Sequence, residues 1–187
     1  TAGLHALAFS LADGQLLWQF TTRYAAIGPI AEATPAVPAL MDMDGDDRQD
    51  TLVFGDLVGR LWALDLDDGR AYGDSPAFTV PGGVDEPIGA EVAVHDKVVV
   101  FGTGGVAGTS DQFQYALYAV KLAADGGSLR WRYPLQTGEK VWAAPVLDTF
   151  GNVMFATASN YLPPSQTSEQ TTNGRLVVID NEGAEIS

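Results

Sequence analysis

Apolar and polar residues alternate along this chain in short runs, and Gly, Asp and Pro punctuate them. Alternation with a period of two predicts half-buried strands, and no stretch sustains the 3.6-residue period of an amphipathic helix. The runs follow one grammar that repeats. In the fullest copy, strands are predicted at Ala36–Leu40, Thr51–Gly55 and Arg60–Asp65, with a weak fourth near Ala77–Val80. The next copy has Glu91–Val94, Val98–Gly102, Tyr115–Val120 and Leu129–Tyr133. A third has Ala144–Leu147, Val153–Ala156 and Arg175–Asp180, with a fourth strand expected from Ala184. The first residues supply only the end of a unit, Leu4–Phe9 and Leu16–Phe20.

Phe-Gly closes the second strand at 54–55 and at 101–102, and Phe-Ala does so at 155–156, giving spacings of 47 and 54 residues. That period suits four-stranded antiparallel units stacked around an axis, the architecture of a β-propeller. The fold expected is therefore all-β: a partial propeller of about three full blades plus part-blades over residues 1–187. The end of one blade occupies 1–33, a blade with an Asp-rich loop 34–84, a blade 85–137, and a truncated blade 138–187. Such an arc is too short to close a ring and leaves apolar faces open, so the remaining blades are expected from residues outside this sequence or from another chain. The start at Thr1 suggests a processed product or an excised piece.

Of the 187 residues, 46% are apolar and 18% charged, which marks a globular chain, and the length allows one sizeable core. A formal net charge of −14 argues against nucleic acid and against an anionic membrane surface, since both need Lys and Arg neutralisation. With no cysteine, disulfides, Cys-ligated zinc and thiol catalysis are excluded. No stretch is long and apolar enough to read as a transmembrane span.

Two kinds of motif carry a resemblance. Leu11-Ala-Asp-Gly-Gln-Leu-Leu-Trp-Gln-Phe20 and Gly127-Ser-Leu-Arg-Trp-Arg-Tyr133 resemble the Gly-turn and Trp-x-Phe strand that end a quinoprotein-type repeat. Met41 to Trp62 resembles the propeller signature of PilY-type pilus-tip proteins: an Asp-rich loop, a strand, Gly-Asp-x-x-Gly, then a Leu-Trp strand. Phe101-Gly-Thr-Gly104 with Tyr115–Val120 is similar to that family's following blade. The resemblance implies a calcium-dependent, non-enzymatic role in type IV pilus adhesion or biogenesis. It places the protein at a bacterial cell surface, outside the cell or in the periplasm, with pilins among its partners. One departure is local: the family's Gly near the sixth loop position is Asp47 here, and Gly45 comes earlier.

Read from the residues, Asp42, Asp44, Asp46 and Asp50 stand at positions 1, 3, 5 and 9 of a loop, and the backbone carbonyl of Arg48 stands at position 7. Calcium takes six to eight hard oxygen ligands, and alternate residues can turn theirs inward as a loop wraps the ion. The equivalent hairpins are only His95-Asp96-Lys97 and Asp148–Asn152, so folding alone needs no such loop. An acidic solvated turn is the alternative. Val53 at position 12 offers no bidentate carboxylate, so the expected affinity is weak, about 10⁻⁴ to 10⁻³ M, and the ion's role structural. Asp65–Gly69 is a poorer cation candidate, with one ligand too few. Gly55–Gly59 reads as a hairpin in which Asp56 bonds its own backbone.

Two polar insertions, 106–114 and 162–173, both join second to third strands and should emerge on one face, where a protein or surface ligand could bind; Tyr161 opens the second. Two other functions compete with the adhesin. One is a fragment of a quinoprotein dehydrogenase that uses pyrroloquinoline quinone and calcium; the other is a non-catalytic periplasmic assembly scaffold. No Ser-His-Asp order or nucleophile elbow is present to favour an enzyme.

Overall fold

The computed structural model describes residues 4–22, 37–106, 109–159 and 174–186. Among the described residues the predicted alternation becomes fourteen strands. β1 (His5–Phe9) and β2 (Leu16–Thr21) form a hairpin. β3 (Ala39–Met41), β4 (Thr51–Gly55), β5 (Arg60–Asp65) and β6 (Phe78–Thr79) form the first full blade. β7 (Ala93–His95), β8 (Val98–Gly102), β9 (Ala116–Ala123) and β10 (Gly126–Pro134) form the second. In the third, β11 (Lys140–Val141) and β12 (Val146–Leu147) share one edge of β13 (Val153–Ala158), and β14 (Leu176–Ile179) pairs with the other. The strand pairings are antiparallel, and each strand of blades one and two lies beside its sequence neighbour, whereas in blade three β11 pairs with β13 and not with β12. This is an arc of a β-propeller.

The strand register explains the repeat. Val53 lies opposite Ala63, Val100 opposite Ala119, and Met154 opposite Val178, so these pairs are equivalent in the three blades. One face of blade one, with Val53, Leu61 and Ala63, packs on Val99, Phe101, Tyr118 and Val120 of blade two. The other face of blade two, with Val100, Leu117 and Ala119, packs on Val153, Phe155, Val177 and Ile179 of blade three. The hairpin β1–β2 covers the remaining face of blade one through Leu4, Ala6 and Phe20 against Phe54, Trp62 and Leu64. The Gly that closes β4 and β8 has a steric role. A Cβ on Gly55 would collide with Ile88, and one on Gly102 with Val141, which are matching residues of the next blade.

Two Trp side chains bind the seams. Trp18 Nε1 donates to Leu66 O at 2.6 Å, and its ring lies over Gly69. Trp131 Nε1 donates to Asn181 O at 3.0 Å, and its ring lies over Gly183. In both, the outer strand of one unit docks onto the turn after the third strand of the next. Blade one has no Trp in β6, and there Gly127 N donates to Ala77 O at 2.7 Å instead.

Buried carboxylates brace each blade. Asp56, fully buried, accepts from Val58 N and Arg60 N, as a turn-former should, but also from Arg60 Nε at 2.7 Å and Trp62 Nε1 at 2.9 Å. Glu86 accepts from Tyr118 OH at 2.7 Å and Thr103 Oγ1 at 3.2 Å. Glu139 accepts from Arg175 Nε and Nη2, both at 2.7 Å, and from Thr157 Oγ1 at 3.2 Å. Glu86 and Glu139 each stand seven residues before the equivalent strand residues Ala93 and Val146, so one brace recurs with changed partners. Burial raises the Glu139 pKa, but the Arg175 guanidinium and the Gln136 N–H outweigh it and hold the carboxyl below its usual value.

A carboxyl with a lowered folded pKa stabilises the fold above the unfolded value and loses that contribution as pH falls through the folded one. The Glu139 contribution is thus constant near neutrality and disappears progressively below about 4.3. Urea midpoints measured from pH 7 down to pH 3 are expected to show Glu139→Gln less stable at pH 7 and flatter on the acid limb.

Candidate functional site

The Asp-rich loop joins β3 to β4 at one end of blade one. Asp50 N donates to Met41 O at 3.0 Å and closes its base. Inside, the carboxylates wind the backbone around themselves. Asp42 accepts from Gly45 N at 2.6 Å and Asp47 N at 2.8 Å. Asp44 accepts from Asp46 N at 3.0 Å, and Asp46 from Arg48 N at 2.9 Å. Asp50 accepts from Met43 N at 2.8 Å, Asp44 N at 3.3 Å and Thr51 Oγ1 at 2.7 Å. The Gly45 N–H, foremost, holds the Asp42 carboxyl below its usual pKa against an opposing effect of burial, and the Asp47 N–H adds to the lowering.

Asp42, Asp44 and Asp50 come together, each with a carboxylate oxygen within 4.8 Å of the others. Asp42 and Asp50 are half-buried and Asp44 is exposed. Asp46 lies outside this group, and Arg48 is exposed. Three hard oxygen donors at this spacing fit a divalent cation, and an ion would relieve the mutual repulsion of the carboxylates.

The displaced glycine has a conformational explanation. Gly45 takes φ +89° and Asp47 takes φ +69°, so the sixth position keeps the left-handed turn expected of a Gly while carrying Asp. Asp tolerates that region better than most residues. Asp47 is exposed.

Sequence reasoning missed two neighbours of the loop. Tyr72 OH donates to Thr51 Oγ1 at 3.2 Å, and the single proton of the Thr51 hydroxyl goes to Asp50. Burial chiefly raises the Tyr72 pKa, and the charges of Asp65, Asp50 and Asp44 push the same way. Nothing in the local spacing announces Tyr72, since η1 (Tyr72–Asp74) follows an ordinary turn. The second is a groove beside the loop, lined in part by Asp42, Gly45 and Asp47.

The control hairpins are plain turns. Asp96 takes φ +51° between β7 and β8, and Asp148 accepts from Phe150 N and Asn152 N. The weaker candidate, Asp65–Gly69, is also a turn: Asp65 accepts from Asp67 N, Asp68 from Arg70 N, and the loop carries Trp18. In the insertion 106–114, the described part is tied to blade three, where Lys140 Nζ donates to Asp111 Oδ1 at 2.6 Å and Thr109 O at 3.0 Å. Tyr161 and the insertion 162–173 lie outside the described residues. Among the described residues no helix is long and apolar enough to cross a membrane.

Neither a protein-family model nor a curated protein sequence matches the chain. Solved structures do, through their fold. BamB from Moraxella catarrhalis superposes with a TM-score of 0.59 at 17% identity, over 98% of this chain and 41% of its own. A europium-containing methanol dehydrogenase gives 0.62 at 14% identity, over 97% and 37%. Quinohemoprotein alcohol dehydrogenase from Comamonas testosteroni gives 0.60 at 15% identity, over 98% and 31%. The chain therefore spans about two fifths or less of the proteins it resembles. The class defined is a β-propeller arc, and at these identities the likeness speaks for the fold alone.

Position 47 is open to direct test. Asp47→Gly should shift stability by less than about 1 kcal/mol, because relief of the left-handed backbone and extra freedom of the unfolded chain oppose each other. Asp47→Val should cost about 1–3 kcal/mol, since a β-branched residue is strained at positive φ. Urea unfolding midpoints of the two variants would show the difference.

Proposed function

We propose that this chain is a calcium-binding, non-catalytic β-propeller module of a pilus-associated or other extracellular bacterial adhesin or pilus-biogenesis factor. The observation that supports this is the gathering of Asp42, Asp44 and Asp50 on a hairpin that the other two blades make with plain turns. The Arg48 carbonyl and Asp46 are the further oxygens a calcium ion would draw in, and water would complete its shell. Val53 is fully buried in the core and cannot serve as a ligand, so affinity is modest. Bound there, the ion would pin the end of β3 to the start of β4. The resemblance of residues 41–62 to PilY-type propellers supports the pilus setting, and with it a location outside the cytoplasm and pilins as partners. The insertions 106–114 and 162–173 would supply the contact surface for a protein or surface ligand.

The dehydrogenases among the structural neighbours support a second reading, a fragment of a quinone-dependent enzyme. BamB supports a third, a scaffold without catalysis. The acidic loop favours the first over the third, and its place at one hairpin favours it over the second, whose chemistry needs groups converging on the ring axis.

Calorimetric titration of chelator-treated protein with calcium tests the reading. Heat with a dissociation constant of about 10⁻⁴ to 10⁻³ M is expected. Asp44→Ala should abolish it. Silence in the unmutated chain would refute the calcium site, and a bound quinone chromophore would favour the enzyme.

A further inference from the structure

The groove beside the Asp-rich loop has two unlike walls. It runs along the seam between blades one and two and encloses about 700 Å³. Asp42, Gly45 and Asp47 form the loop side. The opposite side carries Lys97, Lys121 and Arg130 from three elements of blade two: the β7–β8 turn, β9 and β10. Backbone pairing sets this convergence. Leu122 N donates to Lys97 O at 2.8 Å, and Lys121 lies opposite Val98. Arg130 sits where the β9–β10 register slips at a bulge, which re-aims its side chain.

The chain has only ten Lys and Arg against 24 Asp and Glu. The cations whose ion pairs are described, such as Arg60, Lys140 and Arg175, are engaged with their own carboxylates. Lys97, Lys121 and Arg130 make no ion pair with described residues, although Asp42, Asp47 and Asp96 line the same groove. Three cations that line one groove without an ion-pair partner among the described residues attract an anion. Leu40, Met41, Val94 and Val98 give the floor apolar surface between the charged walls.

The loop would add a second attraction. A calcium ion there lacks the bidentate ligand at position 12, because Val53 is buried in the core, and so keeps coordination positions for water or an incoming oxygen. The ion would also offset part of the charge of Asp42, Asp44 and Asp50, so less negative charge on the loop opposes an anion held by the three cations across the groove.

We propose that this groove binds an acidic peptide segment, whose carboxylates are held by the Lys97, Lys121 and Arg130 wall on one side and by the calcium-loaded loop on the other. This rests on the calcium reading for its metal dependence. Carboxylate is the chemistry both walls share, as a hard oxygen ligand for calcium and a charge-assisted acceptor for Lys and Arg. The size falls within the roughly 300–1,000 Å³ of ligand sites. The groove is partly open to solvent, so an extended chain can enter it.

The test uses the 187-residue chain and a fluorescein-labelled triglutamate peptide, with triglutamine as control, followed by anisotropy. In calcium the triglutamate should bind and the triglutamine should not. Chelation should weaken binding at least about tenfold, and so should Lys121→Glu with Arg130→Glu, by loss and reversal of the attraction. Calorimetry on the same double variant should still give the calcium heat of the unmutated protein, which shows that it is folded and isolates the cationic wall. Calcium heat without triglutamate binding, or binding unchanged in the double variant, overturns the groove and leaves the calcium reading standing. Absent calcium heat with metal-independent triglutamate binding overturns the calcium reading and the loop's share, while supporting the cationic wall. Binding of an oligouronate without triglutamate overturns the peptide assignment.

Discussion

A four-stranded blade has two apolar faces, and neither is covered until another blade lies against it. Everything else in this structure follows from that constraint. Val53 and Val100 are buried because blades two and three cover them, at 0% and 1% exposure. Met154, their equivalent in blade three, is 45% exposed, and Leu176 is 70% exposed where Leu61 and Leu117 show none. The sequence keeps apolar residues at all of these places, so the last described face has the character of an interior one. The same logic accounts for Gly55 and Gly102, where a side chain would exclude the residue that the next blade inserts.

Blade seams need orientation as well as apolar contact, because sheets of Val and Leu can slide. The indoles of Trp18 and Trp131 fix it by pairing a flat ring over a Gly with one hydrogen bond to a backbone carbonyl. Buried carboxylates at Asp56, Glu86 and Glu139 fix the blade ends. Each has multiple donors, which offsets the cost of removing its charge from water. With the frame held this way, the fold does not depend on a long hairpin between β3 and β4, as the plain turns at Asp96 and Asp148 show. That hairpin can hold carboxylates that would be a liability elsewhere.

Much of this was legible in the sequence. Strand order and repeat period came through because period-two alternation and the Phe-Gly pair recur at readable intervals, and β4, β5 and β8 run over the predicted residues. The first strands were read less well. β3 begins at Ala39 rather than Ala36, and β7 at Ala93 rather than Glu91. β11 was not foreseen, since two residues, Lys140 and Val141, give no periodicity. Asp56 was read as a turn residue, which it is, but its bond to Trp62 depends on the pairing of β4 with β5 and has no local signature. The acidic loop stood out because its ligands are close in sequence. The cationic wall did not, because Lys97, Lys121 and Arg130 meet only after three strands have paired.

The calcium ion proposed among Asp42, Asp44 and Asp50 can be probed directly through Tyr72. Its hydroxyl is joined through Thr51 to Asp50, so a terbium ion on the loop would lie beside a phenol able to sensitise its emission. Excitation of the tyrosine should yield terbium luminescence that excess calcium removes. It should fall sharply in Tyr72→Phe and vanish in Asp42→Asn with Asp44→Asn. Emission that persists unchanged in the double Asn variant would contradict the account.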